Sequence, residues 1–351
     1  MPDTLHKTLI IRLSSVGDIV LSSLLIRVLR RRFPQAQIDF LVKSEFADLV
    51  RFNPHLSHVI EFRQNGTFRD LRILRRTIKA EGYDTIIDIH DSLRSRYLTT
   101  GRRRTVRLNK RRIARFLLVH CKIDTYRLFG GAPGVAERYL QTARDCGVAD
   151  DHQGLDLYFP DSTRNAAEEV LRKALPQNSA PCIGICPSAR HNTKMWLKER
   201  FVEAATTLAT ELRASLLLFG SVAESERCRF IEQEIRRMAP GIHVVNLAGS
   251  LSLLETAAAM DRCSLVLTND SGLMHIAAAR KRKVVAIFGP TVRQLGFFPF
   301  GTQSIVVEHP NLNCRPCTHI GQTTCPRGHF KCMNEIPANR VIESARQLLA
   351  S

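Results

Sequence analysis

The sequence predicts an α/β protein built from two facing Rossmann-like domains, each with a parallel sheet. Residues 8–34 and residues 264–291 both read as a buried strand, a short polar turn and a helix. In each stretch an aspartate stands where the strand ends, and open parallel sheets bind their ligands at that edge. The length of 351 residues leaves room for two such domains. We therefore expect one ligand-binding edge in each half and an interdomain cleft.

Strand-like and helix-like runs alternate through the first half of the chain. We expect strands in the runs IIRL, QIDFLV, HVIEF and DTIIDIH. Helices are expected between them, in the runs IVLSSLLIRVLRRRF, SEFADLVRF and FRDLRILRRTIKAEG, where apolar residues recur at helical spacing. This alternation is typical of a parallel sheet with helices on both faces.

The pattern changes around residues 151–181, where the runs DDHQGLDLYFPDS and ALPQNSAP carry the Pro, Asp, Asn and Ser of loops. We place the domain boundary near residue 175, which gives domains 1–175 and 176–351. Five further strands are expected in the second domain, in the runs PCIGICP, ASLLLFGS, IHVVNLAG, SLVLTND and KVVAIFGP. The run at residues 337–350 begins with proline and predicts a closing C-terminal helix.

The net charge of +18 is unevenly distributed. Residues 94–115 hold ten basic residues and no acidic one, which favours an anionic partner. Three alternatives stay open from charge alone: a solvated basic face, a nucleic acid, or a membrane surface with anionic lipid. Aromatic residues do not interleave the run, which is unfavourable for stacking on single-stranded nucleic acid.

The apolar runs are short, and none approaches the roughly 20 residues of a spanning helix. The N-terminal residues lead directly into a strand without the pattern of a signal peptide. We therefore expect a cytoplasmic protein.

Three turns make the chain similar to a known family. The S-x-x-G-D turn at residues 14–18, the D-S-G-x-x-H turn at 270–275 and the F-G-P-T turn at 288–291 resemble glycosyltransferase family nine, the lipopolysaccharide heptosyltransferases. The resemblance extends over nearly the whole length. It implies a GT-B fold, with an acceptor-binding N-terminal domain and a nucleotide-sugar-binding C-terminal domain.

The resemblance also implies the reaction and its partners. The expected activity is inverting transfer of heptose from ADP-L-glycero-D-manno-heptose to the lipopolysaccharide inner core, an acceptor of the Kdo-lipid A type. No cofactor is expected to be required for catalysis. With such an acceptor, the basic run would hold the enzyme peripherally on the cytoplasmic face of the inner membrane.

Asp18 stands in the first turn with Ser14, Ser15 and Gly17. Gly17 suits a tight bend, and a helix from residue 19 would present free N–H groups. From the residues alone, Asp18 either caps this helix or acts as a general base. The resemblance implies the general base, which deprotonates the acceptor hydroxyl, and places the other three residues at the acceptor.

Asp270, Ser271, Gly272 and His275 form the second turn, after the strand SLVLTN. The N–H groups of the following helix suit a diphosphate, although a capped helix with a core histidine is the alternative. The resemblance implies that Asp270 contacts hydroxyls of the donor sugar and that the other three contact the diphosphate.

Two further loops of the second half are assigned to the donor. Lys194 can neutralise the leaving diphosphate without a metal, and Ser188 and Arg190 are its helpers; a solvated surface lysine is the alternative. Leu197 replaces a proline that is typical of the family here. Glu224 resembles the family's ribose-binding glutamate, and from the residues alone it reads as a helix-start acid.

The end of the strand DTIIDIH supplies candidates for acceptor binding. These are Asp88, His90, Ser92 and Arg94. Arginine suits the carboxylate and phosphate groups of such an acceptor through its planar fork. For His90, a purely structural role is the alternative to acceptor binding.

Four cysteines are clustered within residues 314–332, in a Gly- and Pro-containing loop: Cys314, Cys317, Cys325 and Cys332. The spacing C-x2-C-x7-C-x6-C resembles a structural zinc site, with free thiols or disulfides as alternatives. The expected chemistry does not need this loop.

Three other functions are alternatives to heptose transfer. A member of the same family could use another nucleotide sugar or modify a later core position. A basic nucleic-acid-binding protein would account for the charge, but it explains neither aspartate-bearing turn, so we expect no nucleic acid partner. An NAD-linked oxidoreductase is disfavoured because no G-x-G-x-x-G follows the first strand.

Overall fold

The structure is a computed structural model that describes residues 5–63, 65–101, 104–129, 131–176 and 181–351. The chain folds into two compact units. The first unit consists of Met1–Arg112 and Val135–Tyr158, and the second of Ile113–Gly134 and Phe159–Ser351. Each unit contains one parallel sheet covered by helices, so the predicted α/β class is confirmed.

Five parallel strands form the sheet of the first unit. They are β1 (Lys7–Ile11), β2 (Gln37–Lys43), β3 (His58–Phe62), β4 (Thr85–Asp88) and β5 (Thr105–Arg107). Their order in the sheet is β3-β2-β1-β4-β5. Ile11 pairs with Asp88, so the turns after β1 and β4 leave the sheet at the same edge. The first four strands match the prediction, whereas β5 lies in the basic run and was missed because it is short and only half-buried.

Helices follow the strands of the first unit. They are α1 (Val16–Leu21), α2 (Ser23–Arg32), α3 (Asp48–Arg51), α4 (Phe68–Ala80), α5 (Leu93–Thr99) and α7 (Val135–Thr142), whereas α6 (Arg112–Phe116) has only its first residue in this unit. From Leu117 to Cys121, α6 continues as a π-helix that belongs to the second unit. The single helix predicted after β1 is divided at Ser22, whose hydroxyl donates to the Ile19 carbonyl at 2.6 Å. Such back-bonding by serine bends helices.

The second unit has six parallel strands. They are β6 (Cys182–Cys186), β7 (Ser215–Leu218), β8 (Val244–Asn246), β9 (Cys263–Asn269), β10 (Lys283–Phe288) and β11 (Ser304–Glu308), in the order β11-β10-β9-β6-β7-β8. Cys186 pairs with Thr268, and Ile287 pairs with Asn269. The loops after β6, β9 and β10 therefore start side by side. β11 was missed by the prediction because its side chains are mostly half-buried.

The helices of the second unit surround this sheet. They are α8 (Asp161–Ala174), α9 (Lys198–Leu212), α10 (Ser225–Met238), α11 (Leu253–Met260), α12 (Gly272–Ala279), α13 (Lys331–Asn334) and α14 (Ala338–Ala350). α14 is the closing helix expected from the sequence. Within the residues that the structure describes, no helix combines the length and apolarity that a membrane span requires.

The compact units differ from the predicted domains in two places. The chain enters the second unit at Phe159 instead of near residue 175, and residues 113–134 also belong to that unit. Residues 161–174, for which no helix was predicted, form α8 and pack against α11. The sequence carries no clear sign of α8 because its buried stripe is narrow: only Ala167 and Leu171 are buried.

Candidate functional site

The Asp18 carboxylate is surrounded by polar groups of the first unit. Its Oδ1 forms an ion pair with Arg12 Nη2 at 2.6 Å and accepts a hydrogen bond from the Tyr139 hydroxyl at 3.2 Å. Its Oδ2 accepts from the Ser15 hydroxyl at 2.9 Å. Ser15 precedes the first residue of α1, so Asp18 lies in the first helical turn. The helix begins at Val16, three residues earlier than predicted, and Gly17 lies inside it instead of forming the bend.

Arg12 is itself fixed by the backbone around it. Its Nε donates to the carbonyl of Ser14 and its Nη1 to that of Ile89, each at 2.7 Å. Arg12 directly follows β1, and only 9% of its surface is exposed. The guanidinium therefore has little freedom to leave the Asp18 carboxylate. Prediction from sequence missed Arg12 as a site residue, although an arginine at the end of a buried strand is an available signal.

The environment favours the ionised form of Asp18. Burial alone would raise the pKa of its carboxyl group, but the Arg12 charge and the hydrogen bonds from Ser15 outweigh burial and lower that pKa. A carboxylate that is ionised, shielded and fixed can accept a proton from a hydroxyl group.

At the end of β4, Asp88 and His90 form a second polar group on the same edge. Asp88 Oδ1 accepts hydrogen bonds from the backbone N–H groups of His90 and Asp91. Asp88 Oδ2 and His90 Nδ1 are buried and make no hydrogen bond to any residue that the structure describes. Burial raises the pKa of Asp88, while burial and the Arg12 charge lower the pKa of His90 to about 3. Asp88 Oδ2 also lies 3.9 Å from Arg107 Nε, at the limit of an ion pair. Buried polar atoms without a hydrogen bond are uncommon in proteins and suit a ligand site.

The remaining predicted acceptor residues have different environments. Ser92 precedes α5, and its hydroxyl accepts from the Ser95 N–H at 3.2 Å, which is a helix cap. Arg94 is exposed on α5. The carboxylate of Asp91, which the prediction did not include, pairs with Arg96 at 2.7 Å and with Arg112 at 3.1 Å. Of the basic run at 94–115, Arg102 and Arg103 lie outside the described residues.

In the second unit, Asp270 and Lys194 form a buried ion pair. Lys194 Nζ lies 2.7 Å from Asp270 Oδ2, which also accepts a hydrogen bond from the Thr291 hydroxyl at 2.7 Å. Lys194 ends a 3-10 turn in the loop after β6, and Asp270 follows β9. The loop is held against β9 because Asn269 donates to the carbonyl of Pro187. The two residues predicted for the donor thus lie together, with Thr291 of the F-G-P-T turn as a partner.

The other residues of the second turn surround the start of α12. Ser271 precedes α12, and its side chain makes no capping hydrogen bond, so the first N–H groups of the helix are not satisfied by that hydroxyl. Gly272 is the first helical residue, and His275 is buried one turn later. Ser188, in the loop after β6, has a buried hydroxyl without a hydrogen-bond partner among the described residues. This arrangement can bind an anion through backbone N–H groups and a hydroxyl.

Arg190 and Glu224 have simpler surroundings. Arg190 is exposed in the loop after β6. One carboxylate oxygen of Glu224 accepts a hydrogen bond from the Ser221 N–H at 2.7 Å, which is the helix-start role that the residues alone indicated. The second oxygen leaves acceptor capacity for a ligand hydroxyl.

The cysteine loop is not arranged as a metal centre among the residues that the structure describes. Cys314, Cys317 and Cys325 are half-buried, Cys332 is buried, and all four are free thiols. Burial raises the pKa of Cys332 to about 12. Across the described part of the chain, no group of three or more His, Cys, Asp or Glu side chains is placed to hold a metal ion. The structural zinc site stays a prediction.

A basic cavity in the first unit was not predicted. It has a volume of about 420 Å³ and is lined by residues from the β5–α6 segment and from α7 and the turn after it. Its charged lining residues are all arginines: Arg107, Arg111, Arg138 and Arg144. Two of these lie outside the basic run at 94–115, and sequence spacing gives no sign that they join the other two.

Comparison with known proteins gives a consistent result. The family model of glycosyltransferase family 9 (heptosyltransferase) matches residues 71–326. Lipooligosaccharide heptosyltransferase 2 of Haemophilus influenzae is 30% identical over 82% of this chain and 84% of its own length.

Two solved structures share the fold of this chain. A family 9 glycosyl transferase from Veillonella parvula superposes with a TM-score of 0.80 at 21% identity, covering 98% of this chain and 97% of that one. The E. coli ADP-heptose LPS heptosyltransferase II superposes with a TM-score of 0.72 at 24% identity, covering 98% of both chains.

Proposed function

Because this chain belongs to glycosyltransferase family 9, the heptosyltransferases, we propose that it transfers heptose from ADP-L-glycero-D-manno-heptose to the lipopolysaccharide inner core. The observation that carries the mechanism is the fixed, ionised carboxylate of Asp18 at the edge of the first sheet. The configuration at the anomeric carbon inverts, and no covalent sugar–enzyme intermediate forms.

Asp18 is the general base in this proposal. Its Oδ1 already contacts both Arg12 and Tyr139. Its Oδ2 accepts from the Ser15 hydroxyl at 2.9 Å, and its contact with the Ser15 N–H is longer, at 3.4 Å. Oδ2 is therefore the oxygen that we assign to the incoming proton. The acceptor hydroxyl gives its proton to Oδ2, its oxygen attacks the anomeric carbon, and the bond from that carbon to the diphosphate oxygen breaks as ADP leaves.

The donor diphosphate is assigned to the start of α12 and to Lys194. Helix N–H groups and an ammonium group stabilise the charge that grows on the leaving diphosphate. Lys194 is already desolvated beside Asp270, with 12% of its side chain exposed. Ser188 and Arg190 assist at the diphosphate, Glu224 binds the ribose hydroxyls, and Asp270 binds the sugar. The proposed reaction requires no metal or other cofactor.

The acceptor is assigned to the first unit. The cavity lined by Arg107, Arg111, Arg138 and Arg144 suits the carboxylate and phosphate groups of a Kdo-lipid A type core. Asp88 Oδ2 and His90 Nδ1, which make no hydrogen bond among the described residues, are assigned to sugar hydroxyls. The charge of +18 and the basic run support peripheral attachment to the anionic cytoplasmic face of the inner membrane.

The test is direct synthesis with the purified chain. ADP-heptose and a core acceptor that lacks heptose are incubated with the enzyme, and mass spectrometry measures the mass gained by the acceptor. We expect the gain of one heptose and release of ADP. Parallel reactions with UDP- and GDP-sugars, and with an acceptor that already carries heptose, test another donor and a later core position. Absence of heptose transfer to either acceptor would overturn the proposal.

A further inference from the structure

Residues 113–128 of the second unit expose large apolar side chains at high density. The exposed fractions are 78% for Ile113, 58% for Phe116, 52% for Ile123 and 80% for Leu128. Scattered exposed apolar residues are ordinary, but several within one short segment indicate a contact surface. We call these four residues the 113–128 patch.

The segment is apolar on its inner side as well. Ala114, Leu118 and Tyr126 are buried together with Leu295. Helical spacing places residues 114 and 118 on one face, and residues 113, 116 and 120 on the other. A helix that is apolar on both faces is normally covered on both. Among the residues that the structure describes, only the inner face is covered, so the outer face is open to a partner.

The rest of the second unit holds the segment in place. Lys122 Nζ donates to the carbonyl of Pro316 at 2.6 Å, and Gln294 Nε2 donates to Asp124 Oδ2 at 3.0 Å. The patch is therefore presented by a packed element.

The charges beside the patch indicate the kind of partner that it binds. Arg115, His120 and Arg127 lie within the segment, and residues 110–112 just before it are Lys-Arg-Arg. Asp124 is the only acidic residue between positions 113 and 134, and it already accepts from Gln294 and the Tyr126 N–H. Apolar side chains flanked by cations fit the interface of an anionic bilayer. A second copy of the chain would bring like charges together, which is unfavourable.

We infer that the 113–128 patch inserts into the headgroup region of an anionic membrane. This inference rests on the peripheral attachment within the proposed function and extends it, because the basic run alone would give only electrostatic docking. Insertion adds burial of apolar surface, which salt does not screen.

Vesicle binding of the full chain tests the inference. The double variant Phe116→Ser/Leu128→Ser is compared with the parent and with Met238→Ser, a matched loss of an apolar side chain that is 54% exposed on α10. Co-sedimentation is measured with vesicles of phosphatidylethanolamine and phosphatidylglycerol, and with phosphatidylcholine alone. We expect the double variant to bind the anionic vesicles about tenfold more weakly or worse, and the control variant to bind like the parent.

Salt separates insertion from docking. Near 1 M salt the Debye length is about 3 Å, so residual binding of the parent should persist while that of the double variant disappears. Equal binding of parent and double variant at both salt concentrations would overturn the inference. Sedimentation without lipid measures self-association. If the double variant differs from the parent only in self-association, the patch is a contact between copies of the chain and the inference is overturned.

The fluorescence of a tryptophan introduced into the patch reports how deeply the patch enters the bilayer. Trp196 is the only tryptophan and is fully buried, so Phe116→Trp adds one readable exposed probe. Anionic vesicles should shift its emission to the blue, and lipids brominated on their acyl chains should quench it. An unchanged spectrum would count against insertion. These readouts need no sugar transfer, so a chain that binds vesicles through the patch but transfers no heptose would refute only the proposed activity.

Discussion

Asp18 and Asp270 both lie where a strand is followed by a helix, but Asp18 is inside the first turn of α1 and Asp270 lies before α12. Each aspartate follows a buried parallel strand, and each pairs with one cation, Arg12 at 2.6 Å or Lys194 at 2.7 Å. The Arg12 guanidinium is fixed by two backbone carbonyls, whereas Lys194 ends a short 3-10 turn.

This difference makes the ion pair of Asp18 with Arg12 permanent and that of Asp270 with Lys194 exchangeable. Arginine has a planar fork whose donors are all directed, so Arg12 can bind Ser14, Ile89 and Asp18 at once. Lysine carries a compact ammonium on a flexible stem, so Lys194 can turn from Asp270 to an arriving diphosphate. The first turn is therefore suited to a fixed base and the second to ligand exchange. The following variants test that contrast, from the largest expected effect to the smallest.

Replacing Asp18 should have the largest effect. Asp18→Asn keeps the size of the side chain but cannot accept the proton, so turnover should fall by roughly 100-fold or more. Donor affinity, measured by calorimetry with ADP, should stay unchanged. Asp270→Asn is the matched variant of the second turn, and it should mainly raise the Michaelis constant for the donor. Near-normal turnover in Asp18→Asn would remove Asp18 from the role of base.

Lys194→Met tests the exchangeable cation. The leaving diphosphate would lose its ammonium partner, so kcat should fall by about 10- to 100-fold, with weaker ADP binding. The parent should retain its activity in EDTA, because the proposed chemistry uses no metal. A complete loss in EDTA that magnesium restores would show that a cation other than Lys194 meets the leaving charge.

Arg12→Met tests the permanent pair through the pH profile. Without the guanidinium, the pKa of Asp18 should rise, because Arg12 is the main group that counteracts burial. The base must be ionised, so the acidic limb of kcat/KM should move to higher pH, and activity at neutral pH should fall by about tenfold. Tyr139→Phe removes one weaker donor to the same oxygen and should move the limb less. An unmoved limb in Arg12→Met would restrict Arg12 to a structural role.

Arg144→Gln tests the basic cavity of the first unit. The Michaelis constant for the acceptor should rise several-fold at low salt, and the effect should shrink as salt screens the charge. Donor affinity should not change, because the cavity lies in the unit that does not contain Asp270. Arg229→Gln, at a position in the second unit, serves as the control for the loss of one positive charge. An effect of equal size in that control would exclude specific acceptor binding by the cavity.

The smallest effect concerns His90 and stability. Burial is the main cause that lowers the pKa of His90 in the folded state to about 3, from about 6.5 for an unperturbed histidine. Between these values the unfolded chain binds a proton that the folded chain does not, so stability falls as the pH drops below 6.5. The slope from this group is at most about 1.4 kcal/mol per pH unit. In His90→Gln, urea unfolding measured between pH 5 and 7 should show a shallower loss; an identical slope would mean that His90 is protonated in the folded state.

The sequence predicted a strand or helix correctly wherever the residues of that element carry an apolar pattern of their own. The strand before the Asp18 turn, the strand that precedes Asp270 and the helix at residues 338–350 were all predicted, because apolar periodicity and turn residues are local signals. β5 and α8 were missed because their burial comes from neighbours and leaves little apolar patterning in their own residues.

The sequence by itself determined the α/β class, the two parallel sheets and the presence of an aspartate in the segment that follows one strand in each. These follow from alternating apolar runs and from the rule that parallel strands end at a common edge. Only the tertiary structure decided which cation meets each aspartate and that Tyr139 reaches Asp18 from 121 residues away. It also decided that four arginines from two segments line one cavity, because such contacts depend on how packed elements bring distant residues together.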